Sequence, residues 1–155
     1  MSIERVREYL KEFGVDGRIL EFETSSATVA LAAEALGCEG CRIAKTISLY
    51  HGERVALIVT AGDTRIDNAK FKARFGIKAK MLSFEDAEVR IGHAVGGVCP
   101  FGVNEGVDVY LDVSLRRFET VFPACGSANS AIELTVEELE RYSGYLDWVD
   151  VCKTV

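Results

Sequence analysis

The chain has 155 residues, 48% of them apolar and 27% charged, with only 2 prolines. This is the balance of one globular domain over residues 1–155, and it excludes a disordered or Pro-rich linker chain. The 18 basic and 24 acidic residues leave a net charge of −6, which argues against a DNA-binding protein.

Ser2 is placed to cap a first helix on which Ile3, Val6, Leu10 and Phe13 recur at helical spacing, with Gly14 as its stop. Arg18 to Phe22 reads as a short strand. Ser25 or Ser26 then caps a second, Ala-rich helix from Ala27 to Leu36 that stops at Gly37. Ile43 to Tyr50 and Arg54 to Thr60 are apolar, partly β-branched runs joined by His51-Gly52-Glu53, which predicts a hairpin. Asp67 caps a third helix ending at Gly76, with Ile66 and Phe71 as its hydrophobic staple. A short strand at Lys80 to Leu82 leads into a brief helix capped by Ser83 and running to about Arg90.

Residues 92–102 hold four glycines and one proline and predict a shaped loop. Strands follow at Val107 to Asp112, Phe118 to Phe122 and Ala131 to Leu134. Thr135 and Glu138 form a capping box for the last helix, with Leu134 and Leu139 as its staple. There is no internal repeat. Strands outnumber helices without a clean βαβ alternation, so the expected fold is mixed α/β: a mainly antiparallel sheet with helices packed on it. No run of about 18 apolar residues exists, so no membrane helix is expected. The charged N-terminus lacks a secretory apolar segment, and the expected address is the cytoplasm.

Five cysteines (Cys38, Cys41, Cys99, Cys125 and Cys152) in a chain with no export signal point to reduced thiols. Cys38 and Cys41 form a lone C-x-x-C pair without the second pair or clustered histidines of a zinc site. It follows a helix C-terminus, whereas a redox pair sits at a helix N-terminus. The pair reads as two thiols in a turn, and neither metal nor cofactor is expected.

Three segments carry more specificity than a fold requires. In the first predicted hairpin strand, alternation puts Ile43, Lys45, Ile47 and Leu49 on one face and Ala44, Thr46 and Ser48 on the other. Lys45 either snorkels to solvent from a sheet end or points into a cleft at an anionic ligand. The loop Gly96-Gly97-Val98-Cys99-Pro100 lets backbone approach a ligand closely and leaves N–H groups to hold an oxyanion or carbonyl. It has neither the Gly-Lys-Ser/Thr of a phosphate-binding loop nor a dinucleotide-binding frame, and no base is placed by sequence to activate Cys99. The third segment is the small-residue bend Ala124 to Asn129, which is either a plain turn or a source of hydrogen-bond partners in Ser127 and Asn129.

Together these segments resemble the YbaK/EbsC family, relatives of the editing domain inserted in bacterial prolyl-tRNA synthetases. The resemblance runs from about Arg5 to Gly144 and rests on Ser25 to Gly37, Ile43-Ala-Lys45-Thr46, Gly96 to Gly102, and Gly126 to Leu139. It implies a compact α/β fold around a mostly antiparallel, barrel-like sheet. It also implies hydrolysis of the ester between a wrong amino acid and the terminal ribose of a tRNA, typically Cys- or Ala-tRNA(Pro).

By that resemblance Lys45 holds the terminal phosphates of the acceptor end, and Gly96 to Pro100, Gly97 included, form the loop that contacts the aminoacyl-adenosine. Thr46, Val98, Ser127 and Asn129 would line the same pocket. Many relatives have Ser where this chain has Cys99, and a thiol is the weaker hydrogen-bonding group. Family members are thought to use the substrate's own ribose hydroxyl or thiol, which fits the lack of a catalytic triad here. The implied partners are the acceptor end of tRNA(Pro) and a prolyl-tRNA synthetase, with no DNA or membrane, for a monomer or homodimer.

No acidic residue lies between Asp67 and Glu85, where Lys70, Lys72, Arg74, Lys78 and Lys80 fall. This basic patch either tracks an acceptor-stem backbone or is a solvated helix face. Two other readings stay open: an idle module of this fold that binds tRNA or a synthetase, and a pocket for a nucleotide or amino-acid ester.

Overall fold

In the computed structural model, which describes residues 2–155, the elements run α1 (Ser2–Lys11), β1 (Leu20–Glu21), α2 (Val29–Leu36), β2 (Ile43–His51), β3 (Arg54–Ala61), β4 (Thr64–Ile66) and α3 (Asn68–Phe75). They continue with α4 (Phe84–Asp86), extended by a wide turn over Ala87–Ile91, then β5 (Val107–Asp112), β6 (Thr120–Pro123), β7 (Ser130–Ala131), β8 (Leu134–Thr135), α5 (Val136–Ser143), β9 (Asp147–Val149) and β10 (Cys152–Thr154). A curled, half-barrel sheet has the strand order β8-β6-β2-β3-β5-β9. Two ribbons, β1-β7 and β4-β10, lie outside it.

The hairpin β2-β3 is the spine of the sheet, paired from Ala44↔Ala61 to His51↔Arg54. Gly52, at φ +62°, supplies the left-handed turn conformation that a two-residue connection needs. Both faces of the hairpin are covered. Ala44, Val55, Leu57, Val59 and Ala61 pack in one cluster with Val6 and Leu10 of α1 and Leu139 and Tyr142 of α5. On the opposite face Ile47, Leu49, Ala56 and Ile58 pack with Phe71 of α3. A smaller third cluster joins Ala32 of α2 to Ile43 and Phe122.

The sheet is mixed, as expected. The hairpin and the β6-β8 pair are antiparallel, but β2-β6, β3-β5 and β5-β9 are parallel. Antiparallel pairings therefore predominate only when the two outlying ribbons are counted. The parallel β3-β5 pair arises because β5 is reached by a long crossover holding β4, α3, α4 and the glycine loop.

Local signals fix most boundaries. The Asp67 carboxylate accepts from the N–H groups of Ala69 and Lys70, and Thr135 and Glu138 form the reciprocal capping box of α5. Four expectations are corrected. Thr28, not Ser25 or Ser26, caps α2, accepting from Leu31 N–H. The Ser2 hydroxyl donates to the Gly92 carbonyl instead of capping α1. The strand expected at Lys80 to Leu82 is a single bridge from Met81 to Leu49. The run expected from Ala131 to Leu134 is split between β7 and β8.

The pairing of β2 with β6 stops at Ala44↔Pro123. Proline has no N–H to extend a ladder, and the chain turns away there into the bend of residues 124–129. Further along the same edge, Leu82 N–H donates to Ser48 and Tyr50 N–H donates to Lys80. Between these contacts, among the described residues, no strand pairs with Thr46 on the edge away from β3, and this open stretch of edge is where the cleft forms.

Candidate active site

A cleft of about 460 Å³ lies along this open edge. Its walls are β2 from Ile43 to Ser48, the approach to α2 from Ser26 to Val29, and Val95, Gly96 and Val98 of the glycine loop. Phe122, Ala124, Ser130 and Ala131 close one end. Met81 and Phe84 stand at the rim, 64% and 76% exposed. No carboxylate is among the lining residues, and the one cationic side chain is Lys45.

Lys45 sits on the Ile47 face of β2, opposite Thr60, and is half-buried. Its ammonium donates to the Thr64 carbonyl at the start of β4, and burial lowers its pKa from the ordinary lysine value. Thr64 is held by its own hydroxyl, which donates to the Ala61 carbonyl at 2.8 Å and lies 2.7 Å from that of Thr60. The β3-β4 turn thus sets where the cation stands. Alternation turns the Thr46 N–H and C=O to the outer edge, the side on which Ser48 and Tyr50 are bonded. The Thr46 hydroxyl is buried and has no partner among the described residues.

The glycine loop is seated on the bend of residues 124–129. A Cβ on Gly97 would lie 2.6 Å from the backbone of Gly126 and Ser127, so only glycine fits there. Gly96, at φ +100°, packs against the methyl groups of Ala27 and Ala128. His93 rivets the loop from beneath. Its Nε2 donates to the Phe101 carbonyl at 2.7 Å, and burial lowers its pKa, which keeps the ring neutral.

Of the residues singled out in the sequence, Lys45, Thr46, Gly96 and Val98 line the cleft together. Gly97, Cys99, Pro100, Ser127 and Asn129 do not line it. Gly97 N–H is spent on the Ala94 carbonyl, leaving a steric role for this residue. Pro100 is buried and Cys99 is 0% exposed, within the main core cluster. Burial pushes the Cys99 thiol up to about 12, so it is no nucleophile at neutral pH. The Ser127 hydroxyl donates to Asn129 Oδ1 at 2.9 Å, and Asn129 Nδ2 donates to the Phe22 carbonyl at 2.9 Å. These two side chains stitch the bend to the segment before α2.

The basic stretch is also thinned. Lys70 pairs with Asp150 at 3.0 Å and Arg74 with Asp147 at 3.1 Å. Lys80 lies over the Tyr50 ring, while Lys72 and Lys78 are exposed. Sequence reasoning missed Ser26, Val29, Met81 and Phe84, because nothing local separates a cleft wall from a cap or a surface turn. Among the described residues no cluster of His, Cys, Asp or Glu could hold a metal ion.

A half-barrel with an open strand edge, a half-buried lysine and a glycine loop meeting at one cleft defines a small mixed α/β protein. The aminoacyl-tRNA editing domain family matches residues 23–142, and the chain belongs to that family. It is 53% identical over 154 residues to the uncharacterized protein YwhH of Bacillus subtilis, covering 99% of this chain and 98% of that one. It is 31% identical over 101 residues to the proline–tRNA ligase of Shouchella clausii, a match spanning 64% of this chain and 17% of that enzyme. Among solved structures it resembles a candidate trans-editing enzyme for prolyl tRNA synthetase, with a TM-score of 0.88 and 27% identity over 98% of this chain and 97% of that one. A hypothetical protein, APE2540, superposes with a TM-score of 0.85 and 27% identity over 96% and 99% of the two chains.

Proposed function

We propose that this chain is a free-standing aminoacyl-tRNA deacylase that hydrolyses the ester of a mischarged tRNA, with Cys- or Ala-tRNA(Pro) as substrate. The observation that carries the reading is the meeting of Lys45, the open Thr46 edge and the Gly96 loop in one cleft of an editing-domain chain. Lys45 supplies the positive charge for a phosphate of the acceptor end, and β4 positions it through the Thr64 carbonyl. The Thr46 N–H is a fixed donor beside the cleft, suited to the oxygen that gains charge as the ester is attacked.

The lining has no histidine or carboxylate to serve as a base, and Lys45 is bonded to the Thr64 carbonyl. Attack by a water molecule, steered by the neighbouring ribose hydroxyl, fits this lack, with the water oxygen ending in the released amino acid's carboxylate. The new C–O bond forms at the ester carbon, the bond to the ribose oxygen breaks, and that oxygen takes up a proton. The protein orients the ester and shields it. Small apolar walls, among them Ala32, Ala44 and Ala131, suit a short amino-acid side chain. A cell needs such a second site because one methylene discriminates by only about 1–3 kcal/mol in a first one.

Single-turnover deacylation of Cys-, Ala- and Pro-tRNA(Pro) tests the reading. The expected result is hydrolysis of a misacylated species with Pro-tRNA(Pro) spared, and a fall of about 100-fold in Lys45→Ala at an unchanged melting temperature. Hydrolysis of none of the three by a folded protein would overturn it in favour of a tRNA- or synthetase-binding module.

A further inference from the structure

The segment Ser25-Ser26-Ala27-Thr28 offers three hydroxyls, and two of them have structural tasks. Ser25 Oγ accepts from Ala27 N–H at 3.2 Å and lies 3.4 Å from the Ala128 carbonyl. Thr28 caps α2. Ser26 does neither. Its backbone is anchored, the N–H donating to the Ala128 carbonyl at 2.6 Å, and the residue is 8% exposed. Ser26 is among the residues lining the cleft, and its hydroxyl is buried without a partner among the described residues.

Five hydroxyl-bearing side chains line the cleft: Ser26, Thr28, Thr46, Ser48 and Ser130. Thr28 serves its cap, and Ser130 Oγ bonds Ser127 Oγ at 2.7 Å. Ser26 and Thr46 are the two whose buried oxygens lack a partner among the described residues. Buried hydroxyls in folded proteins are nearly always hydrogen-bonded, so two orphans on residues that line one cleft are the groups there with bonding capacity left for a ligand. Lys45 only donates, and no carboxylate is present to accept, so the hydroxyls are the side-chain acceptors available to a bound molecule.

We propose that Ser26 is a substrate-contacting residue of this cleft, its hydroxyl accepting a hydrogen bond, beside that of Thr46, from a donor adjacent to the scissile ester. The assignment rests on the deacylase reading above. An aminoacyl end carries two such donors, the α-amino group and the free ribose hydroxyl, and the experiment separates them.

Ser26→Ala is compared with the wild type on Ala-tRNA(Pro), on its propionyl counterpart without the amino group, and on Ala-tRNA(Pro) ending in 2′-deoxyadenosine. The expected result is a fall of about 10- to 100-fold in kcat/KM on the first substrate, the range for one lost hydrogen bond in a dry site. The melting temperature should stay the same or rise, because an unsatisfied buried hydroxyl is removed. The fall should vanish on whichever analogue lacks the donor. A melting temperature lower by more than about 3 °C would make the hydroxyl structural and overturn the assignment. So would an unchanged kcat/KM on all three substrates.

If the wild type hydrolyses none of them, the deacylase reading fails, and calorimetric titration with 3′-alanylamino-3′-deoxyadenosine decides Ser26 separately. Binding at least about tenfold weaker in Ser26→Ala sustains a ligand contact. Equal binding, or none to either protein, overturns it.

Discussion

Lys45 and Cys99 illustrate how far a residue can be read from its neighbours. Strand alternation put Lys45 on an apolar face, and in the structure its ammonium reaches the Thr64 carbonyl beside the cleft. Cys99, two residues after a glycine pair, looked like part of the same loop surface. It instead lies in the main core cluster, its thiol 3.7 Å from His93 Nε2 and from the Phe101 carbonyl, because the loop doubles back over the bend at Gly126 and Ser127. Cys99→Ala is therefore expected to cost about 1 kcal/mol of stability for the small volume lost. It should leave deacylation within about threefold of wild type, since no reacting atom is removed. Denaturant unfolding and single-turnover rates on the same preparation check both halves. Ser26 was the opposite case: three adjacent hydroxyls compete for one N-cap, and only the path of the chain across Ala128 decides which is left over.

At the scale of elements, what was legible was local. The hairpin, the Asp67 cap and the Thr135–Glu138 box depend on residues within a few positions of one another, and each appears as expected. The three-residue strands β4, β9 and β10 were invisible, since β4 owes its existence to pairing with a segment at the far end of the chain.

The glycine loop shows both kinds of determinant. Its composition announces a shaped turn, but its seat on the bend depends on distant backbone. Gly97→Ala would drive a methyl group into Gly126 and Ser127, and is expected to cost about 1–3 kcal/mol and to slow deacylation by displacing Gly96. Gly96→Ala meets only side-chain methyl groups but strains a φ of +100°. Chemical denaturation of the two variants should rank Gly97→Ala as the more damaging.

His93 adds a pH dependence to this loop. Its folded pKa is depressed by burial, so the folded protein favours the neutral ring, while the unfolded chain binds a proton near pH 6.5. Its stability contribution is complete above about pH 6.5 and is lost as pH falls from there toward the folded pKa. Melting temperatures at pH 7.5 and 5.5 should show this drop. His93→Gln, whose amide can still donate to the Phe101 carbonyl, should flatten it. An equal drop in both proteins would assign the effect to other groups.

For the molecule as a whole, the deacylase proposal requires a chain of net charge −6 to hold a polyanion. The sequence showed five cations between Asp67 and Glu85, but composition does not reveal which are already neutralised. Asp147 and Asp150, on and just after β9, come back to Arg74 and Lys70 because β9 follows β5 in the sheet and places them beside α3. Lys72, Lys78 and Lys80 remain without a carboxylate partner among the described residues, and Lys45 waits in the cleft.

Each phosphate neutralised adds about −0.7 to −0.9 to the slope of log Kobs against log salt. Three or four cations should thus give a slope of roughly −2 to −4 for tRNA binding, whereas engagement of all five patch residues together with Lys45 would approach about −5. Lys72→Glu with Lys78→Glu should weaken binding of every tRNA alike and make the slope shallower by about 1–2. Lys70→Ala, whose cation is held by Asp150, should change it by much less. Filter binding across a salt series measures all three proteins. A steep slope that Lys70→Ala reduces as much as the double variant does would mean that the pairs with Asp150 and Asp147 open on contact with RNA, making these two carboxylates competitors for the phosphate backbone.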